Sequence, residues 1–387
     1  MTSSQPELDM AVVGGGAVGL AVAWRAAQRG LRVGVFDREG DAGVASRVAA
    51  GMLAPVTEAE FGDHGRALLE LGLEGARRWP AFAAELAAET GLDAGLRETG
   101  TLVVARDRDE AEALDREYAF RSGLGLRVSR LLPSEARRRE SALAPTVRLA
   151  LEAPDDHSVD PRRLTAALLT AARERGVSVR DAAVAGVTVE GAAVSGLELE
   201  GGERVSACHV VVAAGAWSGA LAGIPDAARM PVRPVKGQIM RLRDPAGPGL
   251  LERALRFEGG YLVTRGDGGY VLGATVEERG FDTTVTAGGL FELLRDAIEL
   301  VPGVSELVVE EIGAGLRPGT PDNLPIVGAG AVPGLVWATG HYRNGILLAP
   351  LTADLVADVV TGAPPSELLA ACDPGRFSRE RVPAGAP

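Results

Sequence analysis

Lysine occurs once in the chain, as Lys236, against 40 basic residues in all, and there are two cysteines and four histidines. Each scarcity excludes something. Cys208 and Cys372 cannot build a disulfide framework, and a reducing cytoplasm suits them. His64, His157, His209 and His341 fall into no HxH or HExxH spacing, and no CxxC occurs, so no metal site is expected. No segment approaches the ~20 apolar residues that span a bilayer. The first nine residues are polar and acidic and the apolar run after them breaks at three glycines, so neither a signal peptide nor a membrane partner is expected. With 52 acids and a net charge of -12, broad attraction to nucleic acid is disfavoured, although a local cationic pocket can still bind a small anion.

What is present is a chain of 387 residues, 46% hydrophobic and 24% charged, long enough for two domains. Its opening, MAVVGGGAVGLAVAWRAAQRGLRVGVFD, reads as strand, glycine turn, helix and second strand, a βαβ start that implies a parallel sheet. Helices are predicted near 64–90, 107–121, 161–175, 287–300 and 346–360. That near 161 is announced by Asp160 as cap and Pro161 at the first helical position. Short strands alternate with glycine turns from 182 to 214 and again from 231 to 284. The order predicts an α/β protein with a Rossmann-type nucleotide-binding domain formed by residues 1–84, 144–219 and 321–387. A mainly antiparallel α+β substrate domain, residues 85–143 and 220–320, is inserted into it.

Gly14, Gly16 and Gly19 form GxGxxG between a strand and a helix, the arrangement that brings a pyrophosphate against backbone N–H groups and a helix N-terminus. Asp37, 18 residues after Gly19, ends the second strand, where a carboxylate can accept from ribose hydroxyls. These residues admit NAD or FAD. An acid at 37 disfavours NADP, although Arg38 beside it weakens that inference. Two later segments point to a flavin. RVAAGMLAP, residues 47–55, leaves room for a planar group, and ATGHYRNGILLAP, residues 338–350, offers a helix start that can face negative charge; an ordinary loop-to-helix junction reads the same way. In GAGLRPGTPDNLPIVG, residues 313–328, Arg317 stands on a stretch poor in side chains. It is either aimed at an anion or paired with Asp322. Lys236 in PVKGQ either marks a place where arginine fits poorly or is a solvated strand residue.

Taken together, GGGAVG, AAGMLAP, VVVAAGAWSG, PVKGQ, AGLRPGTPDNLPIVG and GHYRNGILLAP resemble the glycine oxidases of thiamine biosynthesis, within the D-amino-acid oxidase and sarcosine oxidase superfamily. The resemblance runs from about residue 10 to 360 and implies a noncovalent FAD, since neither cysteine falls in the matching segments. By position it implies FAD contacts at Gly14, Gly16, Ala17, Val18 and Gly19, at Asp37 and Arg38, and at Ala45, Ser46, Ala50, Gly51 and Met52. It adds Val184 on the adenine side and the run His341, Tyr342, Arg343, Asn344, Gly345, Ile346 and Leu347 along the flavin's pyrimidine end. Arg317 matches the arginine that grips the substrate carboxylate, with Tyr261, Arg343 and Met52 beside the same pocket. No side chain is expected to act as a catalytic base, because a planar guanidinium can hold an amino acid with its Cα–H over the flavin for hydride loss.

The implied activity is oxidation of glycine, sarcosine or small D-amino acids by FAD and oxygen to an imine, then glyoxylate and ammonia, with hydrogen peroxide. Its partners would be the small amino acid and oxygen, with homo-oligomers common among relatives and the imine passed to a thiazole-forming enzyme. A dehydrogenase feeding another electron acceptor, and a non-catalytic flavin-binding protein, are the competing readings. Gly259 and Gly260 stand where relatives can carry a polar residue and Val276 where they can carry methionine, so pocket size is left open.

Overall fold

The computed structural model describes residues 6–38 and 44–377. Two sheets organise the chain. The first runs Ile326–Ala329, Leu335–Thr339, Arg204–Val212, Leu8–Val13, Val33–Asp37 and Ser178–Asp181, with every pairing parallel except that of its first two strands. Its central strands are apolar on both faces because both are covered. On one side lie helices Ala17–Gln28, Pro161–Glu174 and Ala349–Thr361, packed around Trp24, Val35, Leu168 and Val356. On the other, the antiparallel pair Val184–Glu190 and Ala193–Leu199 folds back over Val210, Val212 and Trp337.

The second sheet runs Val308–Gly319, Arg233–Arg243, Gly269–Gly273, Gly260–Thr264, Ala254–Phe257, Thr101–Ala105, Leu149–Ala153 and Ser129–Leu131. All its pairings are antiparallel but one, between Ala254–Phe257 and Thr101–Ala105. Period-two alternation divides its residues. Met240, Leu242, Leu262 and Leu272 pack under helix Ala287–Leu300, while Ile239, Val263, Val271 and Tyr261 face the other way, toward Ala50 and Met52.

Two boundaries differ from expectation. Residues 149–153 pair with Thr101–Ala105, so the second sheet claims a strand beyond the boundary expected at 144. The segment that holds Arg317 forms the end of the 12-residue strand Val308–Gly319. This is an edge strand, where Pro318 deprives no neighbour of a ladder bond. The last helix starts at Ala349 rather than 346, because the residues from 341 form successive turns first, with Asn344 N–H on the His341 carbonyl and Leu348 N–H on that of Asn344.

The helix start at Asp160 is as the sequence indicates: its carboxylate accepts from the N–H groups of Arg162 and Arg163, and Pro161 follows. Asp160→Ala is expected to lower stability by about 1 kcal/mol, the usual cost of a lost side-chain cap, measured from the urea midpoint at unchanged slope.

Candidate active site

A cavity of about 930 Å³ lies between the glycine turn of the first sheet and the bare face of the second. At the turn, Gly14 has φ +107°, and a Cβ there would stand 2.4 Å from the Ala213 carbonyl oxygen. A Cβ on Gly19 would stand 1.9 Å from the Gly14 carbonyl oxygen. Gly19 therefore does its work beneath the turn and is not in the cavity wall. Gly16, Ala17 and Val18 are in the wall, with the Ala17 N–H 3.0 Å from the Ser46 hydroxyl that accepts it. Asp37 closes this end. Burial pushes its carboxyl upward, against the N–H groups of Gly15 and Arg38 that favour the ionised form. Arg38 lies over the Trp217 ring at 4.2 Å, an aromatic wall that the sequence reading missed although it stands in the quoted run VVVAAGAWSG. Val184, Ala45 and Ser46 line the same end.

The middle is built from close backbone approach. Gly51 has φ +79° and a Cβ would meet the Val159 carbonyl oxygen at 2.0 Å; Ala50 and Met52 on either side face the cavity. His341, Tyr342, Arg343, Asn344, Gly345 and Ile346 complete this wall, Tyr342 in the left-handed region at φ +49° with its N–H on the Pro318 carbonyl at 2.9 Å. Leu347 departs from expectation. It is buried in the helical core and its carbonyl accepts from the Trp79 indole at 3.0 Å. His341 is fully buried with Nε2 2.9 Å from the Thr352 hydroxyl, and burial pushes its imidazole down to about 4, so it is neutral at physiological pH.

Arg317 and Tyr261 stand on the second sheet. The Arg317 guanidinium lies across Gly237, where a Cβ would come within 2.4 Å of both Nη1 and Nη2. Nη1 donates to the carbonyls of Lys236 at 3.2 Å and Thr275 at 3.1 Å, and no carboxylate pairs with it among the described residues. Asp322 is taken by Arg376 at 2.8 Å, which removes the salt-bridge reading of Arg317. Burial raises the Tyr261 phenol above its ordinary value despite Arg317 and Arg343 nearby, so it is a neutral donor. Lys236 is no solvated residue. It is 1% exposed on the opposite face of its strand, with Nζ 3.0 Å from Asp282 and 3.4 Å from Glu277. Gly260 has no room for a side chain, since a Cβ would stand 2.8 Å from the Phe257 ring. Val276 lines the rim and is mostly exposed.

The sequence reading missed Glu58. Its carboxylate lines the cavity 3.2 Å from Arg256 and 3.2 Å from Arg343. Burial works to raise it, but Arg256, Arg343, Arg317 and Arg121 outweigh burial and hold it below the usual carboxylate range. No spacing pattern points to it, because its partners come from strands and turns remote in sequence.

A cavity with a glycine turn at one end, an acid where a ribose would lie and a run of small residues in its middle is that of a dinucleotide-binding protein. Residues 9–359 match the family described as FAD dependent oxidoreductase, and the chain belongs to that family. It is 37% identical to the glycine oxidase of Geobacillus kaustophilus (strain HTA426) over 91% of this chain and 92% of that one. It is 36% identical to the bifunctional protein ThiO/ThiG of Synechocystis sp. (strain ATCC 27184 / PCC 6803 / Kazusa), spanning 96% of this chain but 54% of that protein. Among solved structures, glycine oxidase from Geobacillus kaustophilus superposes with a TM-score of 0.86 at 36% identity, over 95% of this chain and 98% of that one. Iminodiacetate oxidase from Chelativorans sp. BNC1 gives 0.85 at 28% identity, over 94% and 98%. The residues fit FAD: the glycines leave the backbone bare where the pyrophosphate would lie, and neither cysteine lines the cavity.

Two outcomes follow from this geometry. Gly237→Ala displaces the Arg317 guanidinium and is expected to weaken binding of acetate about tenfold, followed as a perturbation of flavin absorbance, with FAD content unchanged. For His341, the unfolded imidazole titrates near 6.5 and the folded one near 4. The unfolded chain therefore binds more protons between these values, and this contribution to stability is lost as pH falls through them. Asp156, pushed up by burial to about 6, acts in the opposite sense over much of the same range. Comparison with His341→Gln isolates the imidazole: from pH 7 to 4 the parent should lose about 3 kcal/mol more than the variant in denaturant titrations.

Proposed function

We propose that the protein oxidises glycine, and with it sarcosine and small D-amino acids. The observation that carries this is Arg317: a guanidinium seated across Gly237, anchored by two carbonyls and free of any protein carboxylate among the described residues. Such a group grips a substrate carboxylate through two oxygens and fixes its orientation. Tyr261, a neutral phenol beside it, supplies a further donor. The names of the relatives support glycine as substrate.

FAD, which Gly14, Gly16, Ala17, Asp37 and the wall from His341 to Ile346 would hold, would supply the two-electron chemistry that takes the amino acid to an imine and oxygen to hydrogen peroxide, the imine then giving glyoxylate and ammonia with water. The chain's own part is placement and electrostatics. Arg317 orients the carboxylate, the small residues Ala50 and Gly51 leave the cavity wall bare, and neutral His341 adds no charge to it. No side chain is needed as base if the amino acid binds as the free amine. The proposal extends to a hand-over of the imine to a thiazole-forming enzyme, supported by the two-part ThiO/ThiG relative, to assembly as a homo-oligomer, and to a cytoplasmic location, which suits two free cysteines. No helix among the described residues is long and apolar enough to cross a membrane.

The test is the visible spectrum with glycine under anaerobic conditions. The parent flavin should bleach and recover on admitting air, while Arg317→Ala keeps its flavin and loses about 100-fold or more in kcat/KM for glycine. Bleaching without recovery would assign a dehydrogenase; a flavin indifferent to glycine and sarcosine would overturn the reading.

A further inference from the structure

The wall beside Arg317 carries more positive charge than one substrate carboxylate needs. Arg121 is neutralised by Glu117 at 2.6 Å. Arg256 and Arg343 remain with Arg317, three guanidiniums facing Glu58 as the carboxylate within the wall beside them, while Glu60, which also acts on Arg343, and Glu258, further along the wall, are both exposed. One oxygen of Glu58, Oε1, bridges Arg256 Nη1 and Arg343 Nη2 at 3.2 Å each. This is the position and the donor set that a free anion would choose.

The turn that leads into Glu58 is also held from behind. Asp156, fully buried, accepts from the N–H groups of Val56 at 2.9 Å and Thr57 at 2.7 Å. Arg121 donates from the other side to the carbonyls of the same two residues, at 2.9 Å each. Arg256 Nη1 reaches the Thr57 hydroxyl at 3.1 Å. The turn that precedes Glu58 is thus fixed through both its donors and its acceptors, which sets the place from which the side chain reaches Arg256 and Arg343.

We infer that Glu58 is a specificity-determining residue, an internal carboxylate that fills the anion position between Arg256 and Arg343 and so restricts the site to amines bearing one acid group. The inference rests on the glycine-oxidising reading of the same cavity. A second carboxylate on the substrate, carried on nitrogen as in iminodiacetate or on the side chain as in D-aspartate, would meet Glu58 at close range and be repelled. Glu58→Gln keeps the shape and removes the charge. It leaves two guanidiniums without their anion, ready for the substrate's own.

The experiment compares sarcosine and iminodiacetate, glycines that differ in the N-substituent, with the FAD-loaded parent and Glu58→Gln. In the parent, kcat/KM for iminodiacetate should lie at least about tenfold below that for sarcosine. In Glu58→Gln the ratio should rise at least about tenfold in favour of iminodiacetate, and the rise should vanish in Glu58→Gln/Arg256→Gln. Dissociation constants from the flavin spectrum, for iminodiacetate and acetate, are read in parallel: only that of iminodiacetate should tighten. Equal use of both amines by the parent, which needs no variant, or a ratio unchanged in a flavin-loaded Glu58→Gln, overturns the inference. If the parent turns over neither glycine nor sarcosine yet iminodiacetate binding tightens in Glu58→Gln, the glycine reading falls and the role of Glu58 stands. If glycine is oxidised and neither ratio nor affinity moves, Glu58 alone is misassigned.

Discussion

The guanidinium of Arg317 occupies space that a side chain at position 237 would claim, and much of the site depends on that contact. With Gly237 opposite Gly315 in the strand register, two adjacent edge-side strands present bare backbone to the cavity. Arg317 can then lie flat across them and spend one nitrogen on the carbonyls of Lys236 and Thr275 while the rest of the fork faces inward. A charged group held against backbone dipoles, with little freedom left to lose, is pre-organised for an anion. The same sheet buries its other face under helix Ala287–Leu300, so alternation along each strand serves packing on one side and ligand on the other.

Charge follows the same division. The protein as a whole is strongly acidic, yet the cavity beside Arg317 gathers Arg121, Arg256 and Arg343. Burying so many cations is costly unless they are paired, and Glu117 and Glu58 supply the pairing. Lys236, on the far face of the same strand as Gly237, ties the segment after Gly269–Gly273 through Asp282 and Glu277. That segment contains Thr275, whose carbonyl holds Arg317. The lysine thus reaches the substrate site only through the backbone that it anchors.

The sequence by itself determined the βαβ start, the helix at Pro161, the position of Asp37, and the bare segments around Gly51 and Arg317. Glycine spacing, a capping acid with its proline and apolar runs bounded by turns are local signals, read within a few residues, and local hydrogen bonding then realises them. It also held enough to relate the chain to a family, because several motifs far apart all agree. Tertiary structure alone decided the fate of side chains whose partners lie on other strands. Asp322 could be assigned to Arg376 and not to Arg317 only once the segment around Arg376 folded back. Strand Leu149–Ala153 joined the second sheet because its partner is Thr101–Ala105, a pairing no spacing announces. Glu58 and Trp217 were invisible as site residues for the same reason: their roles come from Arg256, Arg343 and Arg38, brought near by folding and not by sequence distance.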